Sequence, residues 1–234
     1  MIHFKRNSAI LLSFGLTLLL CPGCNSDNSL KNYKGAPFTD SVYKKGAQAI
    51  PGKLQCEYFD LGGEGIAYHD SDSINSGSGK LNPADGSYLN EFRINEAVDI
   101  SYTKFREPQI DNTPYNLVQP EKDQFYVGWT SPGEWTKYTI NVVEDGNYRL
   151  GLMYTSNQNG KISFSINDVD MTGPILVPST FVAADTVGWR QWHHWNYIDN
   201  IANLKLKKGI QTFTIHTVEI GQMNYDFINF QKIE

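Results

Sequence analysis

The chain has 234 residues, of which 13% are aromatic, and it carries a formal net charge of −5 at pH 7. That length is enough for one domain whose core needs no disulfide to fold. The acidic balance argues against nucleic acid or anionic lipid as a partner, since both attract basic protein surfaces. A neutral ligand fits this charge better.

The first residues have the pattern of an export signal. Lys5 and Arg6 precede an apolar run over residues 9–20, which is too short for a comfortable membrane span. Gly23 directly before Cys24 resembles the cleavage site of a bacterial lipoprotein. We therefore expect a lipid on Cys24 that holds the chain in the cell envelope, at the outer membrane or cell surface. An ordinary secretory signal cut nearby is the competing interpretation.

The remaining chain divides into a linker and a domain. Removal of residues 1–23 takes away two basic residues and no acidic one, which leaves 18 basic and 25 acidic residues and a formal charge of −7. Residues 24–49 are polar and irregular, which predicts a flexible tether. Residues 50–234 then form one folded domain. If Cys24 is acylated, Cys56 has no cysteine partner, so we expect it to be a small buried hydrophobic residue.

Within the domain, apolar and polar side chains alternate at the period of a β-strand. Residues 138–142 and 148–154 alternate in this way on either side of a Glu-Asp-Gly-Asn turn, which predicts a β-hairpin. Short strands joined by glycine-containing turns, with no segment of helical period, predict an all-β fold, an antiparallel β-sandwich or jelly roll. Further alternating segments cover residues 162–166, 204–206, 213–215 and 225–233.

Two long segments rich in Asn, Ser, Gly and Pro interrupt this pattern, at residues 71–86 and 101–124. Long loops in a compact domain usually bind something or are disordered. Trp129 and Trp135 flank a Ser-Pro-Gly turn that lets the two rings point to different places. They predict a flat apolar platform at the edge of the sandwich, suited to the face of a sugar ring. The alternative is that both rings belong to the core.

Several short motifs occur in an order that resembles carbohydrate-binding module family 6, over essentially all of residues 50–234. Two departures stand out: Cys56 replaces the usual alanine, and residues 101–125 look like an insertion that could reshape or cover a ligand site. The motifs are at residues 50–60, 62–70, 98–100, 127–129, 133–135, 188–192 and 224–228.

The resemblance implies a binding cleft at the loops that join the two sheets. Two aromatic rings sandwich a sugar in such modules and an asparagine of the last strand hydrogen-bonds it, and these roles fall on Trp129, Trp189 and Asn224. Stacking suits the C–H face of a pyranose, and an amide can donate to and accept from its hydroxyls. Asp70 is the candidate for an added polar contact. Trp135 matches a position in a second cleft of some members, and packing on the sheet face is an equally good reading.

The same resemblance implies a structural calcium ion. Gln55 and Glu57 lie two residues apart, which on one strand would put both side chains on the same side. Asp226 comes from the last strand, which would pair near the first. A backbone carbonyl near Arg93 completes the set by analogy. Oxygen-only ligands of this kind suit calcium.

The sequence favours a non-catalytic binding protein. It has no Gly-x-Ser-x-Gly, His-Glu-x-x-His or phosphate-loop motif. A small glycan-acting hydrolase on the same scaffold is the alternative, and it would need two carboxylates across a cleft. A structural lipoprotein that binds no sugar is the third. The expected partners are a neutral polysaccharide or oligosaccharide, the membrane through the lipid, and glycan-degrading enzymes of the same envelope, with no nucleic acid.

Overall fold

The computed structural model describes residues 1, 30, 32–219 and 222–233 of the chain. Residues 2–23 of the expected signal sequence and the expected lipidation site Cys24 lie outside the described residues. No helix among the described residues has the length and apolar character needed to cross a membrane. The strands and the one α-helix are β1 (Gln48–Ile50), β2 (Gly52–Gln55), β3 (Tyr68–His69), α1 (Tyr88–Glu91), β4 (Ile100–Tyr102), β5 (Phe125–Val127), β6 (Trp135–Val142), β7 (Gly146–Ser156), β8 (Gly160–Ile166), β9 (Val169–Asp170), β10 (Ile175–Val177), β11 (Asn196–Leu206), β12 (Gly209–Glu219) and β13 (Met223–Lys232).

These strands form two sheets, which confirms the predicted β-sandwich. The seven-stranded sheet has the order β1-β6-β12-β8-β10, with β3 also paired to β6 and β9 to β8. The six-stranded sheet has the order β11-β7-β13-β5-β4, with β2 also paired to β13. All the pairs are antiparallel except β1 with β6, which is parallel.

The core lies between the two sheets and is built from the side chains that the period-two pattern marks. The inward residues of β6 and β7 have no exposed surface, and each buried side chain of this size stabilises the fold by about 1.5–3 kcal/mol. Cys56 is also fully buried, as predicted. The inward residues are Tyr138, Ile140, Val142, Tyr148, Leu150, Leu152 and Tyr154.

The predicted hairpin of residues 138–142 and 148–154 is wrong. The two segments do form consecutive strands, but β6 belongs to the seven-stranded sheet and β7 to the six-stranded sheet. The turn between them therefore crosses from one sheet to the other. An alternating pattern records which face of a strand is buried, and it does not record the partner strand.

The folded part begins before residue 50, so the predicted tether is too long at its C-terminal end. Phe38 is 4% exposed, and its ring stacks on that of Tyr58 at a centroid distance of 5.4 Å. The Tyr43 ring lies 4.1 Å from the same Tyr58 ring. Because the strand Gln48–Ile50 also adds to the edge of a sheet, the segment from about residue 33 is part of the domain.

A second, smaller apolar cluster forms outside the main core, against the six-stranded sheet. Tyr126, Met153 and Trp195 are buried there. The backbone N–H groups of Leu117 and Val118 both donate to the carbonyl of Trp195, at 2.9 and 3.1 Å. This cluster therefore anchors the predicted insertion of residues 101–125 to the sandwich. Trp195, which has no exposed surface, therefore serves packing.

Candidate functional site

A cleft of about 870 Å³ is formed by loops beside the six-stranded sheet and is here called the main cleft. Its volume suits a ligand of oligosaccharide size. It contains Trp129, Trp189 and Asn224, so the structure brings together the three residues that the sequence assigned to one sugar. The other lining residues are Leu81, Pro83, Asn90, Tyr102, Lys104, Phe105, Arg106, Ile110, Lys122, Asp123, Tyr126, Trp192, His193 and Gln222.

Trp129 presents its ring from an unfavourable backbone conformation. Its φ of 49° is in the left-handed region, which few residues other than glycine adopt, and the residue is 40% exposed. The neighbours hold it in place: the Gly128 N–H donates to Asp99 O at 2.9 Å, and Thr130 Oγ1 donates to Met223 O at 3.2 Å. The exposed indole is therefore fixed at the cleft by the chain on both sides of it.

Trp189 lies on a short 3-10 helix, Gly188–Trp192, and is 48% exposed. The loop that carries it is braced by the buried Asp185. Arg190 donates to both oxygens of that carboxylate, at 2.6 and 2.7 Å, and His194 Nε2 lies 2.8 Å from Oδ2. The hydrogen bonds from Arg190 hold the pKa of Asp185 well below its usual value, so this brace persists over the neutral range.

Asn224 lies on β13 at the floor of the cleft and is 4% exposed. Its Nδ2 donates to the carbonyl of Trp192 at 2.8 Å, which ties the floor to the loop of Trp189. Its Oδ1 accepts no hydrogen bond from the described residues. A Cβ on Gly128 would lie 2.8 Å from that oxygen, so only glycine leaves it room. The Nδ2 of this amide therefore has a structural role, whereas its Oδ1 remains free to accept a hydrogen bond from a ligand hydroxyl.

The predicted insertion forms one wall of the main cleft. The wall depends on Asp111, which is fully buried. Its Oδ2 accepts from the Lys104 N–H at 2.7 Å, and its Oδ1 accepts from Trp195 Nε1 at 2.7 Å and lies 2.9 Å from His193 Nδ1. One carboxylate therefore joins the insertion to the loop of Trp189. The segment lines the cleft on one side and leaves it open.

The wall also brings positive charge that the sequence analysis missed. Lys104, Arg106 and Lys122 line the cleft against a single carboxylate, that of Asp123. Lys104 Nζ donates to neutral oxygens only, among them Asn82 Oδ1 at 2.8 Å. Burial lowers the pKa of Lys104 to about 8; the carboxylate of Asp111 opposes this shift and Arg106 adds to it. The amine is still charged at pH 7.

Asp70 does not join the main cleft. It lies with Trp135, on β6, at a separate hollow of about 20 Å³, which has room for a water molecule and none for a sugar ring. Burial raises the pKa of Asp70 to about 7, and the nearby Glu134 and Asp99 raise it further. The structure therefore does not bring Asp70 together with Trp129 and Trp189. Trp135 is half-buried.

The residues expected to hold calcium meet at the edge of the six-stranded sheet. Gln124 Nε2 lies 3.3 Å from Gln55 Oε1 and 3.4 Å from Glu57 Oε1. Glu57 and Asp226 are 1% and 2% exposed, and one oxygen of each has no hydrogen-bond partner. Burial, and the proximity of the two carboxylates, holds the pKa of Glu57 well above its usual value. Burial raises that of Asp226 to about 8.

One detail of the calcium expectation needs correction. Gln55 ends β2, whereas Glu57 belongs to a 3-10 turn, Cys56–Tyr58, so the two are not on one strand. The carbonyl of Arg93 accepts from the Glu96 N–H at 3.0 Å, and the Arg93 guanidinium donates to Asp60 O at 3.0 Å. Among the described residues no group of three or more His, Cys, Asp or Glu side chains has the arrangement of a metal site.

Comparison with known proteins gives a family match over most of the domain. The family model described as "Carbohydrate binding module (family 6)" matches residues 99–232. Comparison with curated proteins found no match.

Three solved structures are similar to this chain at low identity. A family 6 module from Clostridium stercorarium in complex with cellobiose is 12% identical, with a TM-score of 0.47 over 81% of this chain and 100% of the module. A β-1,3-glucan-binding module from Bacillus halodurans is 14% identical, with a TM-score of 0.44 over 79% of this chain and 98% of the module. A module of Cellvibrio mixtus lichenase 5A in complex with cellotriose is 23% identical, with a TM-score of 0.37 over 47% of this chain and 79% of the module.

Proposed function

The chain belongs to carbohydrate-binding module family 6, and we propose that it binds a polysaccharide or oligosaccharide without cleaving it, in the main cleft. The observation that carries this proposal is the convergence of Trp129, Trp189 and Asn224 on one cleft. The two indoles, which are 40% and 48% exposed, offer apolar faces for the C–H groups of a sugar ring. The open Oδ1 of Asn224 accepts from a ring hydroxyl and orients it.

Hydrolysis of a glycan is less well supported by the same geometry. A glycosidase places two carboxyl groups on opposite sides of the bond that it cleaves. The described lining of the main cleft offers one carboxylate, that of Asp123. Asp70 and Glu134 line a hollow of about 20 Å³ that does not admit a glycosidic bond. Binding therefore explains the site with fewer requirements than catalysis does.

Replacement of either cleft tryptophan tests the proposed function. Trp129→Ala and Trp189→Ala each remove an aromatic contact, which should weaken binding by at least about 2 kcal/mol. A shallow site of this kind has a micromolar to millimolar dissociation constant, or about 4–8 kcal/mol. A loss of 2 kcal/mol raises that constant about thirtyfold, which makes a millimolar site unmeasurable and a micromolar site clearly weaker. Calorimetry with oligosaccharides identified on a glycan array gives the affinities, and circular dichroism checks the fold.

The matched control is Phe181→Ala, which removes a 54% exposed aromatic ring that does not line the main cleft. It should leave the affinity unchanged. If both tryptophan variants are folded and bind as tightly as the parent, the site is elsewhere, and the sheet face at the half-buried Trp135 becomes the next candidate. If the parent binds no glycan on the array, a structural protein without sugar binding is the better description.

We also propose that Gln55, Glu57 and Asp226 hold a calcium ion that supports the fold. The unpartnered oxygens of Glu57 and Asp226 are the supporting observation, because a buried carboxylate with no partner is costly and a cation would offset that cost. Carboxylate and amide oxygens are the ligands that calcium prefers, and the amide of Gln124 adds one more candidate. When bound, the ion would neutralise the buried carboxylates of Glu57 and Asp226.

Thermal melting with calcium and with a chelator tests this second proposal. A ligand that binds only the native state stabilises it by about 2.7 kcal/mol at a hundredfold excess over its dissociation constant, so calcium should raise Tm. Asp226→Asn should abolish the response while leaving the chelated protein about as stable, since burial raises the pKa of Asp226 to about 8 and the amide replaces a carboxyl that is mostly neutral at pH 7. Asp199→Asn, at an exposed ion pair with Arg149, is the control that keeps the response. An unchanged Tm in the parent would sink the idea.

A third proposal concerns location: a lipid on Cys24 tethers the domain to the cell envelope. Its support is the apolar run of residues 9–20 followed by Gly23 and Cys24. In a Cys24→Ala variant the protein should leave the membrane fraction, and the parent's N-terminal peptide should carry the mass of acyl chains. A variant that stays with the membrane would show that any anchor lies elsewhere.

A further inference from the structure

The main cleft differs in charge from the rest of the chain. The whole sequence carries a formal charge of −5, yet three cations and one carboxylate line this cleft. Lys122 and Asp123 are exposed, and Lys122 Nζ lies 3.8 Å from Asp123 Oδ2, so the two charges partly neutralise each other. Lys104 and Arg106 have no carboxylate oxygen within 4.0 Å in the described part of the chain. An uncompensated positive region therefore sits beside the cleft tryptophans.

Accordingly, we propose that the cleft selects glycans that carry an anionic group, a uronate carboxylate or a sulfate ester, which binds at Arg106 and Lys104 while Trp129 and Trp189 hold a sugar ring. This inference rests on the proposed function and names its ligand class. An anionic glycan replaces the neutral ligand that we expected from the net charge of the whole chain.

Lys104 supplies a fixed charge. Its Nζ is held by Asn82 Oδ1 at 2.8 Å, Ser101 Oγ at 3.0 Å and Tyr102 O at 3.3 Å, and it lies 4.1 Å from the centre of the Tyr102 ring. These partners are neutral, so they orient the ammonium group and leave its charge uncompensated. The carboxylate of Asp111, which acts on Lys104 from within the same wall, is fully buried and already takes part in three contacts. An anion in the cleft would meet this charge without displacing a carboxylate.

Arg106 supplies free donors. The residue is exposed, and its guanidinium makes no hydrogen bond to the described residues. It is close enough to Lys104 for its charge to lower the pKa of that amine. An anion bound near both cations would relieve this repulsion. The N–H donors of the planar guanidinium match two oxygens of a carboxylate or a sulfate. The contact is therefore directional as well as electrostatic.

The position of the two cations explains why a sugar is required as well as a charge. Arg106 and Lys104 line the same cleft as Trp129, Trp189 and the open acceptor of Asn224. A glycan with an acidic substituent can satisfy the aromatic faces, the amide and the cations together. A polyanion without a pyranose ring satisfies the cations alone.

The test uses matched oligosaccharide sets on several backbones, in which the neutral, uronate and sulfated members share linkage and length. Calorimetry on the whole domain at low ionic strength should show at least a tenfold tighter Kd for a charged member than for its neutral counterpart. That preference for the charged member should fall in 1 M salt, where the Debye length is about 3 Å and the attraction between charges is screened. Comparison of the uronate and sulfate members decides which anion the cleft prefers.

Arg106→Ala should remove most of the preference, which brings the Kd of the charged member close to that of its neutral counterpart. Lys205→Ala is the matched control, because Lys205 is exposed and pairs in register with Asn147 at the end of β11 remote from Asn196. Equal affinity for charged and neutral members, or a preference that survives in Arg106→Ala, would overturn the inference. So would equally tight binding of polyglutamate or single-stranded oligothymidylate.

The inference and the proposed function fail in different ways. Neutral sugars that bind through Trp129 and Trp189 with no charge preference would overturn the inference alone. Binding of charged sugars that is unaffected by Trp129→Ala and Trp189→Ala would overturn both, because the ring would then lie elsewhere. No binding to any member of any set would overturn both as well.

Discussion

The main cleft depends on one buried carboxylate, that of Asp111. A fully buried charge is stable only when its oxygens are paired, and removal of one partner of such a group commonly costs about 3–5 kcal/mol. Asp111 finds its partners in Lys104, His193 and Trp195, so it joins a residue of its own loop to residues more than 80 positions away. The wall formed by residues 101–125 and the loop of Trp189 are therefore held as one unit.

The same constraint explains the local charge of the cleft. The backbone N–H of Lys104 donates a hydrogen bond to Asp111, which fixes the chain at this point. The side-chain ammonium of Lys104 lies among neutral oxygens, and Arg106 lines the same cleft two residues further on. The acidic residues that dominate the whole chain lie elsewhere, for example in the cluster around Asp70 and Glu134. Net charge predicts how a protein behaves in a long-range field, whereas ligand choice depends on the few charges within a Debye length of the site.

Much of the fold, and the three central site residues, could be predicted from the sequence. Alternation over residues 138–142 and 148–154 identifies two strands and their buried faces, because burial leaves a local period. It cannot identify the partner strand, since pairing depends on the whole sheet order. Motif order assigns Trp129, Trp189 and Asn224 to one site, and the structure places them at one cleft. The roles of Lys104 and Arg106 had no such signal, because contacts distant in sequence position them.

The most direct test of glycan binding at the main cleft is a crystal structure of the domain with an oligosaccharide that it binds in solution. We expect a sugar ring in contact with the indoles of Trp129 and Trp189, with a hydroxyl within hydrogen-bond distance of Asn224 Oδ1. The closest acidic substituent should lie on the side of Arg106. A sugar bound at Trp135, or on any surface that leaves both indoles without contact, would contradict this assignment.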